Sequence, residues 1–530
     1  MVISGLILLV VSSIFFGIEF TDSGFIQGIS WAIHSGGTLY EDIDYVRPPL
    51  TPFLWHFVFW TGVSEGLEVL FRSLVTLEKA LTGLLAGAIC LRHGVERRTA
   101  VFIGCISFIF LVHHLPAMPW HTVDGLFFLV TSAFLFSHRR TNLALVSALL
   151  AAACKQSFIF FPPLLFVIIL LDRQNRTLKS LTLNAASLGL TAAAFSLLFN
   201  IEAMLSSGGS DQSVATLIRV AVLPYLQPHW WHLPAILGAA LACLCFRSHA
   251  QLAAAIFLTL YIPLSSLATA ALTLYRQGDF VFSLPPGNTT HLVFLLAVAA
   301  LLHAAIRNGL ANSLHEDRFR LAFLLLAGSW MSTISWGYNN HIFSFGLIVA
   351  AWALTATGRP AMPGRVVASL VLGLCVMFAG MKLLTPYRTA GILEGPQLSL
   401  SSGAYRYIVV SELESRRLDA MDRMFATDGC VEIYPSAPQA HMIEARRSEL
   451  PAGWMLEVEY PNHERTADIL KRHSCRLFIE RDGNQVGWSA KGQEAAGLDA
   501  GNVGHCVAEQ DEYAWMIDFA SCDISAARQD

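Results

Sequence analysis

Long apolar segments recur along the first 383 residues of this 530-residue chain, and they are the feature that most limits how it can fold. A helix needs about 20 such residues to cross the roughly 30 Å hydrocarbon core of a bilayer. The sequence is 54% hydrophobic and 14% charged, whereas soluble domains carry about 25% charged residues. We therefore predict an α-helical polytopic membrane protein with about thirteen transmembrane helices. The net charge of −4 offers no basic surface, so nucleic acid is not expected as a partner.

The loops between the apolar runs differ in charge, and this difference predicts the orientation of the chain. Loops rich in Lys and Arg lie on the cytoplasmic side of membrane proteins; here they are residues 92–98, 137–142, 172–179, 307–320 and 358–365. The intervening loops hold few bases and many Pro, aromatic and His residues; they are residues 115–124, 275–290 and 337–341. By alternation these loops face outward, together with a long first outer loop at about residues 20–65.

The N-terminal apolar run has neither a basic start nor a small-residue cleavage site. We therefore predict that it is a retained anchor and that the chain is a multi-pass protein of the cell inner (plasma) membrane. Residues 1–383 are then predicted to form the transmembrane domain, with the lipid bilayer as one of its binding partners.

The rest of the chain, residues 384–530, is predicted to be a small extracytoplasmic α/β domain. A helix over about residues 403–426 precedes strand-like runs that alternate with a helix-like stretch. Four cysteines lie in this tail, at positions 430, 475, 506 and 522. Disulfides persist in oxidising compartments, so an outside tail is expected to form them, with three pairings open.

Two segments depart from regular spans. Residues 51–62 are too short to cross the bilayer and carry Trp55, His56 and Trp60, which predicts an interfacial helix. Residues 143–171 form two short apolar halves that are separated near Lys155. A lysine at that depth is costly unless it faces a water-filled cavity or an anion. We therefore expect Lys155 to line a polar cavity, beside which irregular backbone is tolerated.

Two carboxylates follow the first apolar run directly, at Glu19 and Asp22. Asp22 lies within a few residues of the predicted helix end, so a rigid element fixes its position. Burial near lipid raises the pKa of a carboxyl group and a nearby cation lowers it again. A carboxylate in that environment can accept a proton from a hydroxyl group, a role worth about 10²–10⁴ in rate. The acids further along the loop are equally consistent with a solvated loop.

The first outer loop carries an acid after the first helix, then "G..Y.D", then a basic residue before "PPL". The residues of this pattern are Asp22, Gly37, Tyr40, Asp42, Arg47, Pro48, Pro49 and Leu50. The loop thereby resembles the one found in the GT-C superfamily of membrane glycosyltransferases, most closely the protein mannosyltransferase and aminoarabinose transferase branch. A second acid at the outer start of the fourth helix is matched by Asp124, with His121 beside it. The resemblance covers about residues 1–200.

The resemblance implies a sugar transfer from a polyprenyl-phosphate donor to an acceptor on the outer face, with inversion at the anomeric carbon. Asp22 is the expected general base, Glu19 stands one turn earlier, and Asp124 is the second candidate acid. Arginine binds phosphate through its planar fork and lysine as a point charge. The candidate substrate-binding residues are Arg47, Tyr40, Asp42, His121, Lys155, Arg276, Tyr338, Asn339 and His341.

The sequence leaves several alternatives open. A transporter or flippase of a lipid-linked saccharide is the main rival, although such proteins often have broken helices in both halves of the chain. An O-antigen ligase or polymerase and a non-catalytic scaffold are two others. The motifs HExxH, Walker A and Cys-x-x-Cys are missing, so no cofactor is predicted. Whether a divalent cation is needed, and whether the acceptor is a glycan, a lipid or a protein, stays open.

Overall fold

The computed structural model is dominated by helices. It describes residues 2–19, 22–113, 117–172, 177–199, 202, 221–227, 232–245, 250–277, 287–334, 340–356, 363–386, 391–426, 429–434, 439–443, 445–446, 448–450, 469, 472–473, 475–480, 507–510 and 514–518. The main helices are α1 (Val2–Phe15), α2 (Asp22–His34), α3 (Leu50–Trp55), α4 (Leu67–Arg92), α5 (Arg97–Val112), α6 (His121–Ser137), α7 (Thr141–Cys154), α8 (Phe161–Leu171), α9 (Leu178–Leu198), α10 (His232–Cys245), α11 (Ala250–Gln277), α12 (Gly287–Asn308), α13 (Asp317–Thr333), α14 (Phe345–Thr355), α15 (Gly364–Leu384) and α16 (Glu412–Phe425). Shorter helical segments lie at His56–Thr61, Gln156–Phe160, Leu223–Leu226, Leu310–Ser313 and Ala440–Ile443.

Several of these helices are apolar enough to cross a membrane. Within the described ranges, five are both long and apolar enough to span, and six more are apolar but shorter. The multi-pass α-helical architecture therefore agrees with the prediction, while the count of about thirteen crossings stays a prediction.

Helices α4 and α5 pack closely because small residues lie at their contact. A Cβ atom on Gly83 would come within 2.6 Å of the Gly104 carbonyl oxygen, and one on Gly87 within 2.9 Å of the Ala100 carbonyl oxygen. Gly83 and Gly87 form a G-x-x-x-G pattern, which allows helix backbones to approach each other in a membrane. The cluster of buried residues around this contact includes Ala86 and Ile103.

The end of α1 is held by a buried arginine on α4. Arg72 donates from Nη1 to the Phe16 carbonyl oxygen at 3.1 Å and from Nη2 to the Gly17 carbonyl oxygen at 2.8 Å. The last carbonyl groups of a helix have no partner inside the helix, so this guanidinium caps α1. Its Nε donates to Glu68 Oε1 at 2.7 Å, and Gln27 of α2 donates to Glu68 Oε2 at 2.8 Å. One polar network therefore joins α1, α2 and α4.

The predicted break near Lys155 is present. Helix α7 ends at Cys154, Lys155 is extended (φ −150°, ψ 134°), and a 3₁₀ segment at Gln156–Phe160 leads into α8. Phe161 is followed by two prolines in the first turn of α8, where a missing backbone N–H costs nothing. The break turns the Lys155 side chain away from the helix axis and into the protein, where it is 3% exposed.

The first loop contains a second helix that the sequence interpretation did not include. We expected Asp22 in a loop after the first helix, but Asp22 is the first residue of α2. Further along, α3 and the 3₁₀ segment His56–Thr61 occupy the stretch predicted as an interfacial helix. Both pack against α2. Most of the first loop is therefore an ordered helical layer.

The tail begins after α15 and contains two small sheets. Strands β1 (Gln397–Ser399) and β2 (Val409–Ser411) form an antiparallel pair. Strands β3 (Val431–Tyr434), β4 (Arg476–Glu480), β5 (Val507–Gln510) and β6 (Ala514–Asp518) form a mixed sheet in the order β3-β4-β6-β5. Helix α16 begins later than predicted because Ser411 and Glu414 form a capping box at its start.

A disulfide joins Cys430 and Cys475 at the starts of β3 and β4. It selects one bond among the pairings that the sequence left open. Positions 506 and 522 lie outside the described residues. An independent α/β domain over residues 384–530 stays a prediction.

The tail lies on the same side of the helices as the first loop. The amide of Gly17 donates to the Val409 carbonyl oxygen at 2.9 Å, and the amide of Gly66 donates to the Gly403 carbonyl oxygen at 2.9 Å. These bonds join the tail to the end of α1 and to the start of α4. We call this side, with the described residues of 16–66 and 391–450, the loop face.

We predict that Arg72→Met destabilises the protein by about 3–5 kcal/mol, because it leaves Glu68 buried without its cation and removes the α1 cap. Thermal unfolding of the protein in detergent measures the change. The exposed Arg97, at the start of α5, provides a matched control, and Arg97→Met is expected to stay within about 0.5 kcal/mol of the wild type. Equal effects of the two substitutions would contradict the assigned cap.

We also predict that the loop face is extracytoplasmic. In a Cys245→Ala background, Ser401→Cys on the loop face is expected to react in intact cells with a membrane-impermeant maleimide. Asn312→Cys, in a basic loop, is expected to react only after the membrane is opened. Both positions are exposed. The reverse pattern would overturn the orientation drawn from loop charge.

Candidate active site at the loop face

The two acids after α1 occupy different environments. Glu19 is 1% exposed, and its Oε2 accepts a hydrogen bond from the Ser23 amide at 2.7 Å. Glu19 therefore caps the N-terminus of α2, a place that favours a negative charge. Asp22 is half-buried at the first position of α2. Of the two carboxylates, Asp22 is the more accessible.

Tyr40 and Asp42 shape the turn that leads to Arg47. Asp42 Oδ2 accepts from the Thr38 amide at 2.9 Å, and the Tyr40 amide donates to the Ile43 carbonyl oxygen at 2.8 Å. The Tyr40 hydroxyl donates to the Arg47 carbonyl oxygen at 2.7 Å. Burial raises the pKa of Tyr40, so its hydroxyl stays a donor. The structure gives both residues a role in positioning Arg47, and their contact with substrate stays a prediction.

Three basic side chains converge where the loop meets the membrane helices. Arg47 Nη1 lies 2.7 Å from His121 Nε2. Because an arginine can only donate, His121 Nε2 must accept and the imidazole proton lies on Nδ1. His121 is 1% exposed, and Nδ1 has no hydrogen-bond partner among the described residues. Lys155 lies near Arg47 and His121, and its Nζ donates to the Ser332 carbonyl oxygen at 2.7 Å.

The Lys155 ammonium group has no acidic partner in the described part of the chain. No carboxylate oxygen of the described residues lies within 4.0 Å of it, the distance of an ion pair. The Arg47 guanidinium also lies 5.8 Å from the centre of the Phe25 ring, an aromatic contact that supplies no formal charge. A buried ammonium group is costly without an anion. The site is therefore suited to an anionic ligand.

Asp124 lies one turn along α6 from His121 and faces another part of the loop. Its Oδ2 accepts from Trp55 Nε1 at 3.0 Å, and its side chain is buried. The pair ties α3 to α6. Glu78 of α4 lies close to the same carboxyl group. This placement gives Asp124 a positioning role, and a catalytic role for it stays a prediction.

His341 lies in a buried polar cluster at the loop-face end of α13. Its Nε2 lies 2.7 Å from the Tyr225 hydroxyl, and its Nδ1 lies 2.8 Å from Ser329 Oγ. His341 is fully buried, and its ring stacks on Phe294 at 4.4 Å. Both ring nitrogens therefore have partners within the protein. A direct contact between His341 and substrate stays a prediction.

The His341 cluster and the basic group share the end of α13. The Tyr225 hydroxyl lies 3.2 Å from Thr333 Oγ1. Ser332, the preceding residue, receives the hydrogen bond from Lys155. Polar contacts therefore extend along the end of α13 from Lys155 to His341.

The other residues predicted to bind substrate have no described contact with these polar groups. Arg276 is exposed in the last turn of α11, and no contact within the described ranges joins it to Arg47 or Lys155. Tyr338 and Asn339 lie outside the described residues. Their predicted roles in binding sugar stay predictions.

Sequence reasoning missed the buried charges of α4 and α15. Glu68, Arg72 and Lys79 are all at most 2% exposed, and Lys382 of α15 lies near Arg72 and Lys79. Positions 68, 72 and 79 recur at helical spacing within an apolar run. Intramembrane charges at such spacing are the signal that could have identified this set.

No metal cluster stands out in the described ranges. They contain no group of three or more His, Cys, Asp or Glu side chains arranged to hold an ion.

Comparison with known proteins gives matches in structure alone. No family model and no curated protein matches the sequence. The structure is similar to that of ArnT from Cupriavidus metallidurans in the apo state, with 12% identity and a TM-score of 0.41, covering 98% of this chain and 97% of that one. It is also similar to the archaeal oligosaccharyltransferase AglB from Archaeoglobus fulgidus, in complex with an inhibitory peptide and a dolichol-phosphate, with 12% identity and a TM-score of 0.45, covering 90% of this chain and 69% of that one. These matches agree with the GT-C resemblance, but at TM-scores below 0.5 they add no argument of their own.

Proposed function

We propose that this chain is a GT-C-like membrane glycosyltransferase that moves a sugar from a polyprenyl-phosphate donor to an acceptor hydroxyl on the outer face. The observation that carries the proposal is the basic group of Arg47, His121 and Lys155, in which the buried Lys155 has no carboxylate partner among the described residues. A phosphate at this group would supply Lys155 with a negative charge.

The phosphate of the sugar donor matches the hydrogen-bond donors of this basic group. A guanidinium binds phosphate oxygens through paired hydrogen bonds, and an ammonium group acts as a point charge. The Nδ1 proton of His121 adds a buried donor without a described partner. A phosphate leaving group needs no protonation. Three side chains that donate hydrogen bonds to it are therefore sufficient to stabilise its negative charge.

Asp22 is the proposed general base. It lies at the rigid N-terminus of α2 and is half-buried, whereas Glu19 is enclosed and caps that helix. Asp22 takes the proton of the acceptor hydroxyl as the oxygen attacks the anomeric carbon. The bond from that carbon to the phosphate oxygen breaks, and the electron pair leaves with the polyprenyl phosphate. Attack opposite the leaving group inverts the anomeric centre.

The broken helix at Lys155 also favours a second candidate, a flippase or transporter of a lipid-linked saccharide. Transporters commonly bind substrate at discontinuous helices near a cavity. The same basic group would then hold the phosphate without bond cleavage. Formation of a new glycosidic bond distinguishes the two functions.

We predict that Asp22→Asn lowers kcat by about 10²–10⁴, because an amide cannot accept the acceptor proton. Transfer from a polyprenyl-phosphate sugar by purified protein measures the change. Glu65 provides a control carboxylate in the same loop, because it is exposed and pairs with Arg406. Glu65→Gln is expected to retain wild-type activity. Near wild-type transfer by Asp22→Asn would overturn the assignment of the base.

We predict that Lys155→Met weakens donor binding by about 10- to 100-fold, the usual value of one hydrogen bond to a charged group. Removing a buried cation without an anion should leave the ligand-free protein at least as stable as the wild type. Thermal unfolding with and without polyprenyl phosphate measures both effects. The same substitution at exposed Lys179, near the start of α9, is the control. Full stabilisation of Lys155→Met by the lipid would contradict the phosphate site.

A further inference from the structure

A segment of the tail packs on α2, the helix that begins with Asp22. Met442 of this segment lies in the cluster of buried apolar side chains that contains Phe25 of α2. Further along the helix, Trp31 Nε1 donates to the Arg446 carbonyl oxygen at 2.6 Å. We call the described residues of 439–446 the tail segment. Its contacts with α2 are both apolar and polar.

Gln439 contacts α2 and the chain just before it, on either side of Asp22 in the sequence. Its Nε2 donates to the Glu19 carbonyl oxygen at 3.3 Å. Its Oε1 lies where a side chain on Gly24 would begin, because a Cβ atom there would come within 1.4 Å of that oxygen. The Gln439 side chain is fully buried. A glycine at position 24 therefore makes room for the side chain that crosses the first turn of α2.

The tail segment is itself fixed to the mixed sheet by a buried carboxylate. Glu432 of β3 is 1% exposed, and its Oε1 accepts from the Glu449 amide at 2.6 Å. Its Oε2 accepts from the Ser448 hydroxyl at 2.8 Å and lies 2.9 Å from His441 Nε2. Hydrogen bonds to an ionised carboxylate are stronger than those between neutral groups. Gln439 is therefore presented to α2 by a supported segment.

We propose that Gln439 is a positioning residue that fixes Asp22 from the tail, an inference that rests on the proposed role of Asp22 as the base. A general base must lie within hydrogen-bond reach of the proton it takes. A misplacement of about 1 Å can cost about 10²-fold in rate. Gln439 holds the chain at Glu19 by a hydrogen bond and at Gly24 by close packing, so the first turn of α2 has one position.

The first test measures hydrogen exchange of the amides at positions 23–26 in the full-length protein, and it does not depend on the proposed function. Gln439→Ala removes the hydrogen bond to Glu19 and the packing on α2. It is expected to speed this exchange about tenfold, the scale of one lost hydrogen bond. Gln397 provides a matched control, because it is a glutamine of the tail that donates locally to the Gly395 carbonyl oxygen at 3.2 Å. Gln397→Ala is expected to leave the exchange unchanged.

A second pair of variants tests the contact itself. Gly24→Ala places a methyl group on the Gln439 side chain and is expected to speed the same exchange at least tenfold, because overpacking forces a shift of the helix. In a Gln439→Ala background the nearest remaining atom is the Gln439 backbone nitrogen, at 3.1 Å. The double variant is therefore expected to stay within about threefold of Gln439→Ala alone. Gly189→Ala on α9 is the control, because its Cβ atom would meet nothing within 4 Å.

The third readout is kinetic and uses the proposed glycosyl transfer. Gln439→Ala is expected to lower kcat about tenfold with little change in the KM for the donor, because other residues form the phosphate site. In an Asp22→Asn background the same substitution is expected to have little further effect on the residual rate, because the base is already lost. A general weakening of the fold would lower the rate in both backgrounds.

The outcomes separate this inference from the proposed function. Wild-type exchange at positions 23–26 in Gln439→Ala would overturn the positioning role, and so would an effect of Gly24→Ala that persists at full size without the Gln439 side chain. If Gly24→Ala alone does not fold, recovery of folded protein in the double variant supports the contact. Full activity of Asp22→Asn would overturn the assignment of the base, and the exchange measurements would still decide whether Gln439 holds α2.

Discussion

The buried guanidinium of Arg72 is the interaction on which the loop face depends. It caps the end of α1 and pairs with Glu68, which in turn accepts a hydrogen bond from Gln27 of α2. A charge at this depth is costly by itself. Here the cost is offset because Arg72 donates hydrogen bonds to the carbonyl groups at the end of α1 and pairs with the Glu68 carboxylate. The network fixes where the chain leaves α1 and therefore where Glu19 and Asp22 lie.

A different balance holds at the basic group beside it. Arg72 has a carboxylate partner, whereas Lys155 ends on the carbonyl oxygen of Ser332. The first arrangement is complete within the protein, and the second is the one to which we assign an anionic ligand. This contrast separates a structural charge from one available to a ligand, although both are buried lysine or arginine side chains in the same half of the chain.

The tail contributes to the same region from a distance of about 400 residues in sequence. Val409 bonds to the end of α1, and Gln439 crosses α2 at Gly24. The helix that carries Asp22 is therefore enclosed between α4 and the tail. Enclosure of this kind holds a catalytic group in place more firmly than a loop does.

The sequence by itself determined the apolar helices, the break at Lys155 and the closeness of acids and bases in the first loop. These follow from local composition and periodicity, because long apolar helices are stable in a bilayer and an unpaired lysine there is energetically unfavourable. It did not determine that Asp22 begins a helix, that Glu19 caps it, or that His121 accepts from Arg47. The contact of Arg47 with His121 joins residues far apart in sequence, which no local pattern encodes. The cap that Glu19 makes on α2 is local, but the position of α2 depends on the bond from Gln27 to Glu68 of α4. Only the tertiary structure decided them, because burial and charge pairing are properties of neighbours in space.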